Sequence, residues 1–328
     1  MKRSFGNKNL LLALAILFMF VFPFLVGQSS YYMTLFVMVC VFMISSMSLN
    51  LLVGYGGQIS VGNAGFLAVG GYVVALFVYY FDWPIWLVLP LAGLITGFIG
   101  LVIGLPAVRL SGHFLAVATL GFGLSIPQIA LNWDSVTKGF TGISVKRPDF
   151  LASDMSLFYL IVILTVFITW MLTNIVKSGI GRAFIAIRDS EVAAQATGIN
   201  VSLYKTMMFV LSAFFTGIAG GIYAYWIGYV SPSDFSIVTS MLLLAMVVVG
   251  GLASIPGAII GAILFTVLPH FTDAYIGITN IVIGIAVVIV IYFRPDGLVS
   301  LVNLLKKKKK ADVEQSVFEG GASDNANV

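Results

Sequence analysis

The chain has 328 residues, 60% of them hydrophobic and only 9% charged, with a mean hydropathy of +1.06. A soluble domain carries about a quarter charged residues, so this composition cannot cover a water-facing surface and excludes a soluble globular domain. The net charge of +4 is gathered into basic groups at Lys2, Arg3 and Lys8, at Lys177, Arg182 and Arg188, and in the run Lys306 to Lys310.

Apolar stretches near the ~20 residues needed to cross a bilayer recur along the chain. They are too long and too little alternating for barrel strands, and backbone in lipid needs internal partners, so helices are the expected element. The sequence predicts an all-α polytopic membrane protein with ten spans, at 10–27, 31–53, 62–81, 85–107, 113–132, 157–176, 205–229, 237–253, 257–272 and 276–293. The first follows Lys2 and Arg3 like a signal peptide but lacks an A-x-A site, and is read as an uncleaved span. The spans at 62–81, 113–132 and 257–272 are glycine-rich or short, which makes them the candidates for a re-entrant segment.

An even number of spans returns the C-terminus to the side of the N-terminus. The positive-inside rule makes that side cytoplasmic, with 177–204 inside and 133–156 outside. The transmembrane unit covers 1–303. The tail 304–328 is polybasic and then Gly/Ser/Asn-rich, and reads as a disordered cytoplasmic segment. Its lysine run directly follows a span, so the partner it points to is anionic membrane lipid and not nucleic acid. The single cysteine, Cys40, has no partner for an internal disulfide, and no Cys/His cluster points to a metal.

Two glycine-rich stretches share a GG-x-x-S core: Gly56, Gly57 and Ser60, and Gly250, Gly251 and Ser254. Glycines let membrane helices approach closely. The alternative is a broken helix whose freed backbone lines a translocation path. Gly56, Gly57, Gln58, Ser60 and Asn63 are the candidates for that path, or else their polar side chains join neighbouring helices.

Residues 181–205 stand apart. No charged residue lies between Asn9 and Asp82, yet this stretch carries Arg182, Arg188, Asp189, Glu191 and Lys205. Asp189 or Ser190 suits an N-cap, Glu191 suits the first turn, and Gly198 followed by Ile199 suits a Schellman ending. Such a helix of about seven residues is too short to stand alone in water. It is held either by its own membrane domain or by a groove on a cytoplasmic partner.

The order E-x-A-A-x-x-x-G, in Glu191, Ala193, Ala194 and Gly198, resembles the EAA coupling motif of ABC importer permeases. The wider run "GRAFIAIRDSEVAAQATGIN", with "LNLLVGYGGQISVGNAGFLAVGGY", "RLSGHFLAVATLGFG", "GYVSPSDF", "VVVGGLASIPGAIIGA" and "RPDGL", is similar to the LivM-type permeases for branched-chain amino acids. The resemblance runs from about residue 30 to residue 298. It implies a type II-like ABC permease fold with a short cytoplasmic coupling helix. It implies as partners a second homologous permease, two ATPase subunits and an extracytoplasmic binding protein. It places Glu191 and its helix in an ATPase cleft, with Gly181, Arg182, Arg188 and Asp189 in the loop that orients it. No G-x-x-x-x-G-K-[ST] phosphate loop occurs, so ATP and magnesium belong to the ATPase subunits. The chain itself needs no cofactor and is not an enzyme. An ABC permease for urea or short amides, and an ion-coupled secondary transporter, remain the alternatives. The latter class places ionisable residues at membrane depth, whereas Asp82, Asp234 and Asp273 fall at span boundaries.

Overall fold

The computed structural model describes residues 17, 19–110, 112–272, 278–293 and 297–300. Residues 10–16 and 18 of the predicted span 10–27, the lysine run and the tail 304–328 lie outside the described residues. The helices are α1 (Ser30–Asn50, continued by a π-helix Leu51–Tyr55), α2 (Asn63–Phe81), α3 (Ile85–Ala107), α4 (His113–Asn132), α5 (Asp134–Thr137), α6 (Asp154–Lys177), α7 (Gly179–Asp189), α8 (Glu191–Ala196), α9 (Val201–Ile227), α10 (Ile237–Gly250), α11 (Ile255–Thr272) and α12 (Ile278–Phe293). One antiparallel pair, β1 (Ile143–Ser144) with β2 (Tyr229–Val230), joins two connecting segments.

Among the described residues, six helices are long and apolar enough to cross a membrane: 30–55, α2, α3, α4, α6 and α9. They correspond to the predicted spans 31–53, 62–81, 85–107, 113–132, 157–176 and 205–229. The predicted spans 237–253, 257–272 and 276–293 are shorter apolar helices. For α10 the reason is local. Ser231 and Asp234 form a reciprocal capping box around the 3-10 turn Pro232–Phe235, with Pro232 in its first turn. The α-helix starts at Ile237, as the sequence predicts, but stops at Gly250, where Gly251 leaves the helical region at φ +132, and so has 14 residues. At 1.5 Å per residue it falls short of a ~30 Å hydrocarbon layer. The turn before it is instead buried in protein, with Phe235 packed on Gly71, Tyr72 and Tyr223. Irregular backbone inside a membrane protein is tolerated under that condition.

α9 is the axis of the bundle. Its small residues bring α2 and α3 to backbone contact. A Cβ on Gly70 of α2 would lie 2.0 Å from the Gly217 carbonyl, and one on Gly220 would lie 2.0 Å from the Leu67 carbonyl. Lipid tails are as apolar as leucine, so close packing of small residues, and not exclusion of water, holds such helices together. α1 is apolar on all sides and is buried almost continuously from Val39 to Leu52, as a helix without a polar face must be. At the α8 end the helix starts carry side-chain caps: Ser178 accepts from the Ile180 N–H, Ser190 from Ala193 and Asn200 from Leu203.

Gly70→Val drives a branched side chain into the Gly217 backbone and is expected to cost about 1–3 kcal/mol or more as overpacking. Gly121→Val, on the same kind of helix but with open space around the Cβ position, serves as the control. Thermal unfolding in detergent should show a lowered midpoint for the first variant only. Equal midpoints would refute the α2–α9 backbone contact.

Candidate functional site

α7 folds back on the end of α6 because Gly181 sits against the Val176 carbonyl, where a Cβ would lie 2.0 Å away. Arg182 is exposed and donates to the Lys177 carbonyl at 3.4 Å. Asp189 closes α7 and receives the guanidinium of Arg188 at 3.2 Å. The cap of the next helix falls on Ser190. α8 then runs for six residues and stops in the two bonds of a Schellman ending: Gly198 N–H to Gln195 at 2.9 Å, and Ile199 N–H to Ala194 at 3.0 Å. Gly198 takes φ +85, the left-handed conformation that glycine adopts without steric cost.

Two contacts fasten this short helix to the bundle. Ala194 is buried. The carboxylate of Glu191 meets the ammonium of Lys205, near the start of α9, at 2.5 Å. The Lys205 side chain is buried, whereas that of Glu191 is half exposed. The pair therefore contributes about 1 kcal/mol or less directly, and its larger role is to neutralise a cation held out of water. Glu191 thus turns toward its own chain. The outward residues are Val192, at 78% exposure, with Ala193, Gln195 and Gly198.

The second part of the site is the break after α1. The helix widens to π geometry at Leu51–Tyr55, Gly57 turns at φ +66, and the chain runs without helix to Gly62 before α2 begins at Asn63. Backbone freed inside a membrane protein must find partners, and here it finds them on other elements. Val61 N–H donates to Thr119 of α4 at 3.1 Å, and Ala64 N–H to Ser240 of α10 at 3.0 Å. The Gly54 carbonyl accepts from Arg188 Nη1 at 3.0 Å. The stem of Arg188 crosses Gly57, where a Cβ would lie 2.7 Å from Arg188 Cγ. Fully buried Asn50 holds the other GG-x-x-S turn: its Oδ1 accepts from Ala253 N–H at 3.0 Å and its Nδ2 donates to the Ser254 carbonyl at 2.9 Å.

The residues proposed for a path divide between two faces. Gly57 and Ile59 are outward, Ile59 at 42% exposure. Gln58, Ser60 and Asn63 are buried, and Gly56 lies against Met208. The amide nitrogen of Asn63 donates to Thr216 at 3.2 Å, and that of Gln58 meets the Met208 sulfur at 3.8 Å. Gln58 Oε1, Ser60 Oγ, Asn63 Oδ1 and, on α9 between those two partners, Ser212 Oγ are buried without a hydrogen-bond partner among the described residues. Sequence reasoning missed Asn50, Thr119 and Ser240. The one signal for Asn50 was a lone amide in an apolar run. The reach of Arg188 to Gly54, 134 positions away, had no local signal at all.

An all-helical bundle with several membrane-length apolar helices, a broken helix and a capped polar loop is the architecture of a polytopic membrane permease. The sequence profile of a family described as "branched-chain amino acid transport system / permease component" matches residues 31–291, and the chain belongs to that family. It is 31% identical to the high-affinity branched-chain amino acid transport system permease protein LivM of Salmonella typhimurium over 320 residues, covering 89% of this chain and 75% of the relative. Identity to the Escherichia coli K12 LivM is also 31%, covering 90% and 75%. The LivH permease protein of the Salmonella system is 26% identical, covering 58% of this chain and 65% of that protein. No solved structure matches significantly. As a permease component the chain is a transport subunit and not an enzyme.

Glu191→Gln leaves the Lys205 ammonium without its counter-charge. Amide hydrogen exchange across 191–196 should accelerate relative to the unaltered chain. Adding Lys205→Met removes the orphaned charge and should restore part of the protection. Unchanged exchange in the single variant would show that the ion pair does not hold α8.

Proposed function

We propose that this chain is one membrane-spanning half of an ATP-driven importer, moving leucine, isoleucine and valine into the cell by alternating access. It lies in the plasma (inner) membrane with both termini cytoplasmic. It pairs with a second homologous permease and with two ATPase subunits, which bind the ATP and magnesium, and it receives cargo from an extracytoplasmic binding protein. Family membership supports the cargo class. A path without fixed charge suits a zwitterion of zero net charge, and among the described residues the acidic side chains lie at helix ends or in connections. That placement speaks against an ion-coupled carrier. Urea and short amides are neutral too, and only the family favours the amino acids over them.

The observation that carries the reading is Arg188. It ends the loop that presents α8, and its guanidinium holds Gly54 in the break of α1. Movement of α8 under closing ATPase subunits then reaches the membrane through two rigid links. One is the Glu191–Lys205 pair onto α9, and the other is Arg188 onto the π-helix. The break lacks a continuous i to i−4 ladder, and a π-helical turn often marks a functional site, so it yields before the intact helices do. Exposed Val192, Ala193 and Gln195 form the face offered to the ATPase cleft.

The whole complex in liposomes should hydrolyse ATP faster when its binding protein carries leucine, isoleucine or valine. Stimulation by urea or an amide with all three amino acids silent would refute the cargo. Arg188→Ala removes a hydrogen bond from a charged donor, worth about 1.5–3 kcal/mol, and should lower uptake per ATP while the complex still assembles. Arg188→Lys keeps the stem over Gly57 and should fall between. Uptake per ATP unchanged in Arg188→Ala would remove this link. For topology, in a Cys40→Ser background, Ser144→Cys should react with an impermeant thiol reagent in intact cells and Ser190→Cys only after lysis. Reaction of both from one side would overturn the orientation.

A further inference from the structure

At the end of the bundle opposite α8, a cleft of about 410 Å³ opens between α4 and the turn that precedes α10. Its size falls within the range of small-molecule sites, about 300–1,000 Å³. Leu124 and Leu131 of α4 form one wall, and Phe235 and Ile237 form the other. Gln128 and Ser233 bring polar groups to it, and none of its lining residues is charged. The turn is rigid. Ser231 N–H donates to the Asp234 carboxylate at 2.9 Å, and the hydroxyls of Ser231 and Ser233 meet at 2.9 Å.

The inner end of the cleft touches the helix break. Gly123 packs on Gly62, and a Cβ on Gly123 would lie 2.9 Å from Gly62 Cα. Just beyond that contact is Asn63. Its Oδ1, with Gln58 Oε1 and the Ser60 and Ser212 hydroxyls, is buried and unpartnered. The amide nitrogens of Gln58 and Asn63 are engaged, so what is left over is two amide oxygens and two hydroxyls. Buried acceptors without donors are costly, about 1–3 kcal/mol each. An ammonium group supplies three donors and suits acceptors of this kind. The positive end of α2 begins at the same place, which favours a carboxylate.

We infer that the cleft is the receiving site for a small zwitterion with an aliphatic side chain, and that the Gly62–Gly123 contact is its inner gate. The inference rests on the importer reading above and names where the permease first holds the cargo. The aliphatic chain lies between the Leu124/Leu131 wall and the Phe235/Ile237 wall. When the glycine contact parts, the ammonium meets Oδ1 of Asn63, the residue next to Gly62 in the chain. Glycines at the gate let two backbones close on one another, with the Phe122 ring packed beside them on Phe66.

The test uses the whole complex in liposomes with Ser233→Cys in a Cys40→Ser background. The rate of modification by a small charged thiol reagent is measured with leucine, with glutamate and with neither, in the absence of the binding protein. Leucine at millimolar concentration should slow the reaction several-fold, and glutamate should not. Leu131→Trp fills the cleft and should cut uptake of leucine several-fold while the complex still assembles. Modification unaffected by leucine, or full uptake in Leu131→Trp, overturns the inference alone. An unaltered complex whose ATP hydrolysis ignores loaded binding protein overturns the importer reading, and this inference with it.

Discussion

Backbone that leaves its helix inside a membrane protein must be satisfied by the protein itself, and the rest of this structure is arranged around one such place. The segment from the π-helix at Leu51 to the start of α2 gives up its regular ladder. Partners for its backbone come from α4, α10 and α7, through Thr119, Ser240 and Arg188. Asn50, one turn earlier, reaches the connection between α10 and α11 in the same way. A single irregular stretch thereby ties elements far apart in sequence to one point. Any movement of one of them is felt by the others as a lost or bent hydrogen bond.

The loop at 178–200 gains its importance from that arrangement. On its own, α8 is two capped turns that could not persist in water. Bonded to α9 by Glu191 and Lys205, and followed back through Arg188 to Gly54, it has two attachment points in the bundle. The close approach of α2 and α3 to α9 over glycine fixes the second attachment point, α9, within the bundle.

The opposite end is built on a different economy. A proline-initiated turn precedes α10, and its Phe235 is buried on α2 and α9. The space thus left beside α4 is apolar with a few hydroxyl and amide groups and no charge. Cargo whose charges cancel crosses such a region without leaving a counter-ion behind, and a fixed charge there would hold one end of a zwitterion too firmly to release it. The neutral lining and the charged loop occupy opposite ends of one bundle, with the helix break between them.

The sequence by itself determined the class. Composition required a membrane solvent, apolar run length required helices, and the spacing of Ser190, Glu191 and Gly198 required a short capped turn, because each of these depends only on residues near one another in the chain. Six spans were legible to within a few residues for that reason. The start of α10 at Ile237 was legible as well, but not its end at Gly250, where Gly251 leaves the helical region at φ +132. Tertiary structure alone decided what the polar residues do. Gln58 meets Met208 of α9 and Ser60 is buried, while Gly57 and Ile59 face outward. Glu191 turns to Lys205, and Arg188 reaches Gly54, because helices that meet at the end of a bundle bring together charges and carbonyls whose separation along the chain carries no information about their separation in space.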